Sequence, residues 1–295
     1  MPRRITRHTH GAARRWITLV PALFAFVAFA AAADDFVSRQ VSFENAGASL
    51  AGTIVSPADG DIAAAVVFVH GSGRQPRSIS LAEAMAEQGI ATLVYDKRGV
   101  GESGGEYEQE KGVGEDNLRL LAGDASAAIN ALKAEEDLAD LPIGLIGISQ
   151  AGWIVPIAAE QNPNVEFLLL WSGPVCKVSE EDIFSKHTRD LDGERLPTFE
   201  EAVAARETPY VWPKWLGEDI DPATSLKQLE IPGLWIFGGQ DGSIPVQLSM
   251  TRLDQLNEAR QTAFEYIYFS AEGHNNIGPT LATAGDWIRN LNNQP

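Results

Sequence analysis

The segment Gly147-Ile148-Ser149-Gln150-Ala151-Gly152 decides the fold, because it joins an apolar run to a helical pattern through small residues. The apolar run Ile143-Gly144-Leu145-Ile146 precedes it. A serine on a tight turn from strand to helix has an exposed hydroxyl, provided that the residues two positions before and after it are small. Gly147 and Ala151 meet that condition. An ordinary helix cap is the alternative, but the flanking pattern favours a nucleophile at Ser149.

A nucleophilic serine needs a base near neutral pH, and histidine is the usual one. The chain has five histidines, of which His8 and His10 lie in an N-terminal segment that we expect to be removed. His70 ends a predicted strand, and His187 lies in a polar stretch with no strand before it. His274, in Ala271-Glu272-Gly273-His274, follows an apolar run and is therefore the predicted base.

The predicted acid is Asp241, which ends the segment Gly238-Gly239-Gln240-Asp241 after a further apolar run. With it, the chain order is serine, aspartate, histidine, and this order resembles that of the α/β-hydrolases, of the esterase and peptidase kind. The resemblance implies a catalytic triad of Ser149, Asp241 and His274. A turn or helix-cap role is the alternative for Asp241. The alternative acids are Asp96, Glu180 and Asp182.

The same resemblance implies an oxyanion hole made of backbone N–H groups. One group belongs to Gln150, directly after the nucleophile, where the start of a helix favours negative charge. The other belongs to the loop at Gly71 and Ser72, where glycine allows close approach to a substrate. His70, just before this loop, is expected to hold it by hydrogen bonding rather than to act as a base.

Two further features are expected to be structural. The segment Tyr95-Asp96-Lys97-Arg98-Gly99-Val100-Gly101-Glu102-Ser103 resembles the D-x-R-G-x-G-x-S turn of many α/β-hydrolases. We expect Asp96 and Arg98 to lock this turn beside the oxyanion loop. Cys176 is the single cysteine, so it forms no internal disulfide, and it lies outside the nucleophile turn.

Apolar runs that alternate with helical patterns predict an α/β fold, a mostly parallel sheet of eight strands with helices on both faces. The first two strands are expected to form an antiparallel hairpin. The predicted strands are 39–44, 50–55, 64–70, 91–95, 142–148, 165–171, 233–238 and 264–269. The predicted helices are 80–88, 115–134, 151–160, 245–257 and 280–291.

Residues 173–227 run too long for a simple crossover and are expected to form a lid over the active site. Its aromatic residues line an acyl pocket in one interpretation and form the lid's own core in the other. The candidate substrate-binding residues are Phe184, Tyr210, Trp212 and Trp215.

Residues 1–33 read as a signal peptide, since arginines precede an apolar run and three alanines. A membrane anchor is the alternative. Cleavage would leave a hydrolase domain over residues 34–295, exported to the periplasm or outside the cell, with no stable membrane insertion. These 33 residues hold five of the 23 basic residues and none of the 40 acids, so the rest carries a net charge of about −22. Such a surface argues against nucleic acid as a partner.

These features predict a serine hydrolase that cleaves carboxylic esters through an acyl-enzyme, with a small ester or short peptide as substrate. An exported aminopeptidase or a thioesterase on the same triad remains the main alternative, with Glu180, Glu181 and Asp182 as candidate partners for a substrate amine. A binding protein on a hydrolase scaffold is a third. The mature sequence has no clustered histidine or cysteine ligands and no nucleotide loop, so we expect no metal and no cofactor.

Overall fold

The computed structural model describes residues 35–258 and 264–291. The predicted signal peptide, residues 1–33, lies outside these residues. None of the helices within them is both long and apolar enough to span a bilayer.

The described chain forms one sheet of eight strands in the order β1-β2-β4-β3-β5-β6-β7-β8. β2 pairs antiparallel with β1 and β4, and the remaining pairs are parallel. This confirms the predicted fold class. The strands are β1 Phe36–Asn45, β2 Ala48–Pro57, β3 Ala64–Val69, β4 Ile90–Tyr95, β5 Ile143–Ile148, β6 Phe167–Trp171, β7 Gly233–Gly238 and β8 Phe264–Phe269.

Burial explains the apolar pattern of each strand. Strands β3 to β7 are buried along nearly their whole length, as expected of parallel strands with helices on both faces. Strand β8, at one edge, alternates more and is partly exposed. The predicted hairpin between β1 and β2 turns at Ala46 and Gly47, whose φ angles are +46° and +74°. Two positive φ angles match the right-handed twist of paired strands.

Helices cover both faces of the sheet. Residues of α1 and α8 pack on one face, and residues of α2, α3, α6 and α7 pack on the other. The helices are α1 Ile79–Ala86, α2 Glu115–Lys133, α3 Ala151–Gln161, α4 Val178–Thr188, α5 Phe199–Ala204, α6 Pro222–Leu226, α7 Val246–Asn257 and α8 Ile277–Arg289. Helix α8 begins three residues before the predicted start, because Pro279 is tolerated in a first turn.

The insertion at residues 173–227 contains α4, α5, α6 and a 3-10 turn at Lys214–Leu216, elements that the sequence pattern did not predict. Phe184 and Tyr210 belong to a small hydrophobic cluster inside the insertion. Trp212 packs against the main core, whereas Trp215 is 58% exposed. For Phe184 and Tyr210 the structure therefore favours the insertion's own core.

The sheet reverses its direction of growth at β3. The chain runs from β3 outward to β4 and then returns to β5 on the other side of β3. In open α/β sheets a crevice forms at such a point, outside the carboxyl ends of the strands. The loop after β3 and the turn after β5 meet there.

Candidate active site

Ser149 lies on the turn between β5 and α3 in a strained backbone conformation. Its φ angle is +58°, which non-glycine residues rarely adopt. A Cβ atom on Gly147 would lie 2.5 Å from the Ala151 Cβ and 2.7 Å from the Val69 carbonyl oxygen. Only glycine fits at that position. The predicted tight turn is therefore present, with the serine at its apex.

Asp241 and His274 lie together beyond the carboxyl ends of β7 and β8, at the same edge of the sheet as Ser149. Asp241 is 1% exposed, and its Oδ1 accepts hydrogen bonds from the backbone N–H groups of Ser243 and Ile244. The Nδ1 atom of His274 lies 2.9 Å from both carboxylate oxygens. A proton on Nδ1 leaves Nε2 as the basic nitrogen of the ring.

The surroundings of His274 favour its protonated form. Burial lowers the pKa of this imidazole, but the hydrogen bond and charge of Asp241 raise it, and the charges of Asp192 and Asp190 add to that effect. The resulting pKa lies above the ordinary value of a histidine. A base with a raised pKa is a stronger proton acceptor.

The predicted oxyanion residues lie against the nucleophile turn. A Cβ atom on Gly71 would lie 3.4 Å from the Ser149 Cβ, so the loop after β3 touches the serine. Neither the N–H of Ser72 nor that of Gln150 donates to another group of the described chain. Gln150 is also the residue before α3, where a helix start favours an anion.

Lys97 joins the loop after β3 to the start of α3. The sequence analysis did not identify this residue. Its Nζ donates to the Gly71 carbonyl oxygen at 2.8 Å and to the Gln150 Oε1 at 2.9 Å. Lys97 is 4% exposed, and burial lowers the pKa of its ammonium group to about 8. The only sequence signal was its place between Asp96 and Arg98.

The neighbouring turn is locked as predicted. Burial alone would raise the pKa of Asp96, but bonds from Arg77 and from the Glu102 N–H hold it below the ordinary value. Arg98 forms a buried ion pair with Asp124 on α2. Asp96 and Arg98 therefore have structural partners.

The other histidines occupy different surroundings. His70 is 3% exposed and packs edge-on against the rings of Phe68 and Tyr95. Burial, followed by the charge of Lys97, lowers its pKa to about 3, so it stays neutral. His187 is exposed on α4.

The lone cysteine and the alternative acids have structural surroundings of their own. Burial raises the pKa of the Cys176 thiol well above its ordinary value, which keeps this group protonated. Glu180 is paired with Arg252 at 2.6 Å and also accepts the Lys177 N–H. Asp182 is paired with Lys186 at 2.7 Å.

Asp192, in the insertion, also reaches the site and escaped the sequence reasoning. Its Oδ1 accepts the N–H of Gly242 at 3.0 Å, and its Oδ2 accepts the N–H of His274 at 3.0 Å. One carboxylate thus contacts both the acid turn and the histidine loop. Asp192 belongs to no periodic pattern, and its only local signal was the Asp192-Gly193 pair, which is typical of a turn.

Three cavities adjoin some of these residues. One of about 290 Å³ is lined by Ser72, Lys97, Tyr107, Val113 and Gln150, among others. A second, of about 300 Å³, is lined by Val113, Glu181, Tyr210, Trp212 and Trp215. Phe184 lines a third, of about 310 Å³, together with Asp241. Among the described residues, no cluster of three or more His, Cys, Asp or Glu side chains is arranged to hold a metal ion.

Comparison with protein families identifies the family of this chain. The family described as "Serine aminopeptidase, S33" matches residues 60–223, which is more than half of the chain and includes the nucleophile turn, the oxyanion loop and Lys97. A comparison with curated proteins gives no match.

Solved structures share the fold. An esterase of Pyrococcus furiosus is 18% identical, with a TM-score of 0.62, over 87% of this chain and 90% of that one. Acetyl xylan esterase 1 of a Thermoanaerobacterium species is 14% identical, with a TM-score of 0.60, over 87% of each chain. The acylaminoacyl peptidase of Pyrococcus horikoshii is 19% identical, with a TM-score of 0.58, over 82% of this chain and 38% of that one.

Proposed function

Since the chain belongs to the serine aminopeptidase S33 family and is a serine hydrolase, we propose that it cleaves carboxylic esters through Ser149, His274 and Asp241. The observation that carries the proposal is the 2.9 Å contact of His274 Nδ1 with both oxygens of the buried Asp241 carboxylate. That contact fixes the tautomer and leaves Nε2 to act on the serine.

The reaction begins when His274 Nε2 takes the Ser149 Oγ proton as Oγ attacks the ester carbonyl carbon. The negative charge that develops on the carbonyl oxygen is stabilised by the N–H groups of Gln150 and Ser72. His274 then returns the proton to the departing alkoxide, which leaves as an alcohol. The same histidine takes a proton from water as the water attacks the acyl carbon, and it returns that proton to Ser149 Oγ as the acid leaves.

An ester is the proposed substrate because, among the candidate substrates, it requires the fewest specific contacts with the site. The cavity beside the oxyanion residues has both apolar and polar lining, and about 290 Å³ accommodates a small acyl group. Two of the similar structures are named esterases, which supports this choice.

Covalent labelling tests the nucleophile. A fluorophosphonate probe followed by peptide mapping should modify Ser149, and Ser149→Ala should abolish both labelling and hydrolysis of nitrophenyl acetate. An adduct on Ser72 or Ser103, with Ser149 unmodified, would contradict the proposal.

Aminopeptidase activity is the second candidate, and the surroundings of Glu181 favour it. Burial, followed by the charges of Asp182 and Asp190, raises the pKa of Glu181 to about 8. The Glu181 carboxyl is therefore mostly protonated at pH 7, and a substrate ammonium group in the cavity that it lines would favour the ionised form and pair with it. Glu181→Gln should raise KM for an aminoacyl anilide and leave KM for a nitrophenyl ester unchanged. Equal effects on both substrates would count against this role.

Export remains a proposal that rests on the sequence of residues 1–33. Intact mass measurement of exported protein should give an N-terminus within a few residues of Ala33. Soluble exported protein that retains Met1 or Pro2 would contradict the predicted cleavage.

A further inference from the structure

Lys97 is a buried charge that the proposed reaction does not use. Taking an ammonium group out of water is costly, and its lowered pKa reflects that cost. Its Nζ is bonded to the Gly71 carbonyl oxygen and the Gln150 side chain. Both partners belong to segments that supply the proposed oxyanion hole.

The peptide between Gly71 and Ser72 transmits the effect of this contact. A trans peptide is planar, so its N–H points away from its C=O. An ammonium group bound to the Gly71 oxygen therefore fixes the direction of the Ser72 N–H on the opposite side. It also polarises the peptide and makes that N–H a stronger donor.

Other bonds hold the same loop. The Gln75 amide donates to the Ser72 carbonyl oxygen at 2.6 Å, and the Lys97 N–H donates to the Gln75 carbonyl oxygen at 3.1 Å. The Gln150 side chain is held at its other end, where Nε2 donates to the Gly112 carbonyl oxygen at 2.8 Å. Lys97 thus links the loop after β3 to the start of α3 through one nitrogen.

We propose that Lys97 is a positioning residue for the oxyanion hole, which orients and polarises the Ser72 N–H and fixes the Gln150 residue beside Ser149. This inference rests on the proposed function, because it assigns Lys97 a part in stabilising the oxyanion formed on Ser149 attack. The role requires a positive charge, so activity should decline as Lys97 loses its proton.

Several other charged or titratable groups lie around Lys97. The charges of Lys97 and Asp96 both act on His70, and the Tyr107 ring centre is 6.0 Å from Lys97 Nζ. The remaining charged groups that line the adjoining cavity are Arg98, Glu106, Glu108 and Glu110. His70 stays neutral above about pH 3. The pKa of Glu181 is also about 8, but Glu181 lines a different cavity, so Lys97 is the group beside the oxyanion loop that is expected to titrate near pH 8.

Steady-state kinetics and a transition-state analogue test the proposal. Lys97→Met should lower kcat for nitrophenyl acetate by roughly 10- to 10³-fold, at most the loss seen when an oxyanion-hole donor is removed, with KM changed less than about threefold. Affinity for a trifluoromethyl ketone, whose adduct carries the oxyanion, should fall by a similar factor. Lys133→Met is the control, because Lys133, at the C-terminal end of α2, also donates to a carbonyl oxygen, that of Ala139.

The conservative variant Lys97→Arg gives a measurement that a purely structural role of Lys97 would not change. It keeps the charge, so it should recover most of kcat and shift the alkaline decline of the wild type, expected near pH 8, to higher pH. If Lys97→Met does not fold, this shift decides the question, and an alkaline limb that stays in place overturns the proposal.

Two other results would also overturn it. One is a folded Lys97→Met variant with kcat within about twofold of wild type. The other is a loss of kcat with unchanged affinity for the ketone. Ser149→Ala separates the two proposals, because an inactive Ser149→Ala variant supports the proposed nucleophile whatever Lys97 does.

Discussion

At the scale of single residues, Asp241 has the most constrained carboxylate of the candidate site. It is buried, accepts two backbone N–H groups and contacts His274 Nδ1 through both oxygens. A neutral amide can keep the turn bonds through its oxygen, but its NH₂ group would face Nδ1 and favour the wrong tautomer of His274.

Asp241→Asn should therefore lower turnover by about 10² to 10⁴ while the protein remains folded, as in the corresponding change in a serine protease. Turnover with a nitrophenyl ester and thermal melting measure the two effects. Glu180→Gln is the control, since Glu180 is tied to Arg252. Near-normal turnover of Asp241→Asn, with Glu180→Gln inactive and folded, would move the acid to Glu180.

At the scale of elements, the junction of β5 and α3 tolerates no side chain at Gly147. Because an added Cβ would lie 2.5 Å from Ala151 and 2.7 Å from the Val69 carbonyl, Gly147→Ala should destabilise the fold by about 1–3 kcal/mol and lower turnover. Denaturant unfolding measures this. Gly278→Ala, in the first turn of α8 where an added Cβ meets no atom within 4 Å, should be neutral or stabilising. Equal stability of the two variants would contradict the steric argument.

The insertion contacts the loops that hold Asp241 and His274 through Asp192, whose side chain is exposed. Asp192→Asn loses one acceptor and one charge, so turnover should fall roughly three- to tenfold, in keeping with about 1 kcal/mol for such a bond. Asp192 helps to raise the pKa of His274, and the base must be neutral to accept a proton. The acid limb of kcat/KM should therefore move to lower pH. Glu194→Gln, an exposed neighbour, should leave both quantities unchanged, and the same shift in it would indicate a general charge effect.

At the scale of the whole molecule, negative charge dominates. The chain carries a net charge of −17, or about −22 without residues 1–33. Self-repulsion of this size destabilises a compact state and is screened by salt. The melting temperature at pH 7 should therefore rise between 10 mM and roughly 300 mM sodium chloride. The rise should shrink near pH 5, close to the sequence pI of about 4.7. A melting temperature independent of salt at pH 7 would contradict this.

Local patterns in the sequence determined the sheet and the nucleophile turn. Alternating apolar runs and helical patterns depend on neighbouring residues, so strands 233–238 and 264–269 were predicted with the bounds that the structure has. Helices α5 and α6 were missed because they are only six and five residues long, although Thr198 and Glu201 form a capping box. Short helices carry too few residues to show a period.

The sequence by itself therefore determined the fold class, the serine turn and the chain order of the candidate triad, all of which rest on local pattern. Only the tertiary structure decided which distant groups support the site. Lys97 reaches partners 26 and 53 residues away, and Asp192 reaches partners 50 and 82 residues away. Such contacts follow from strand order and loop placement, and a single side chain that bonds across the fold leaves no periodic signal in the sequence.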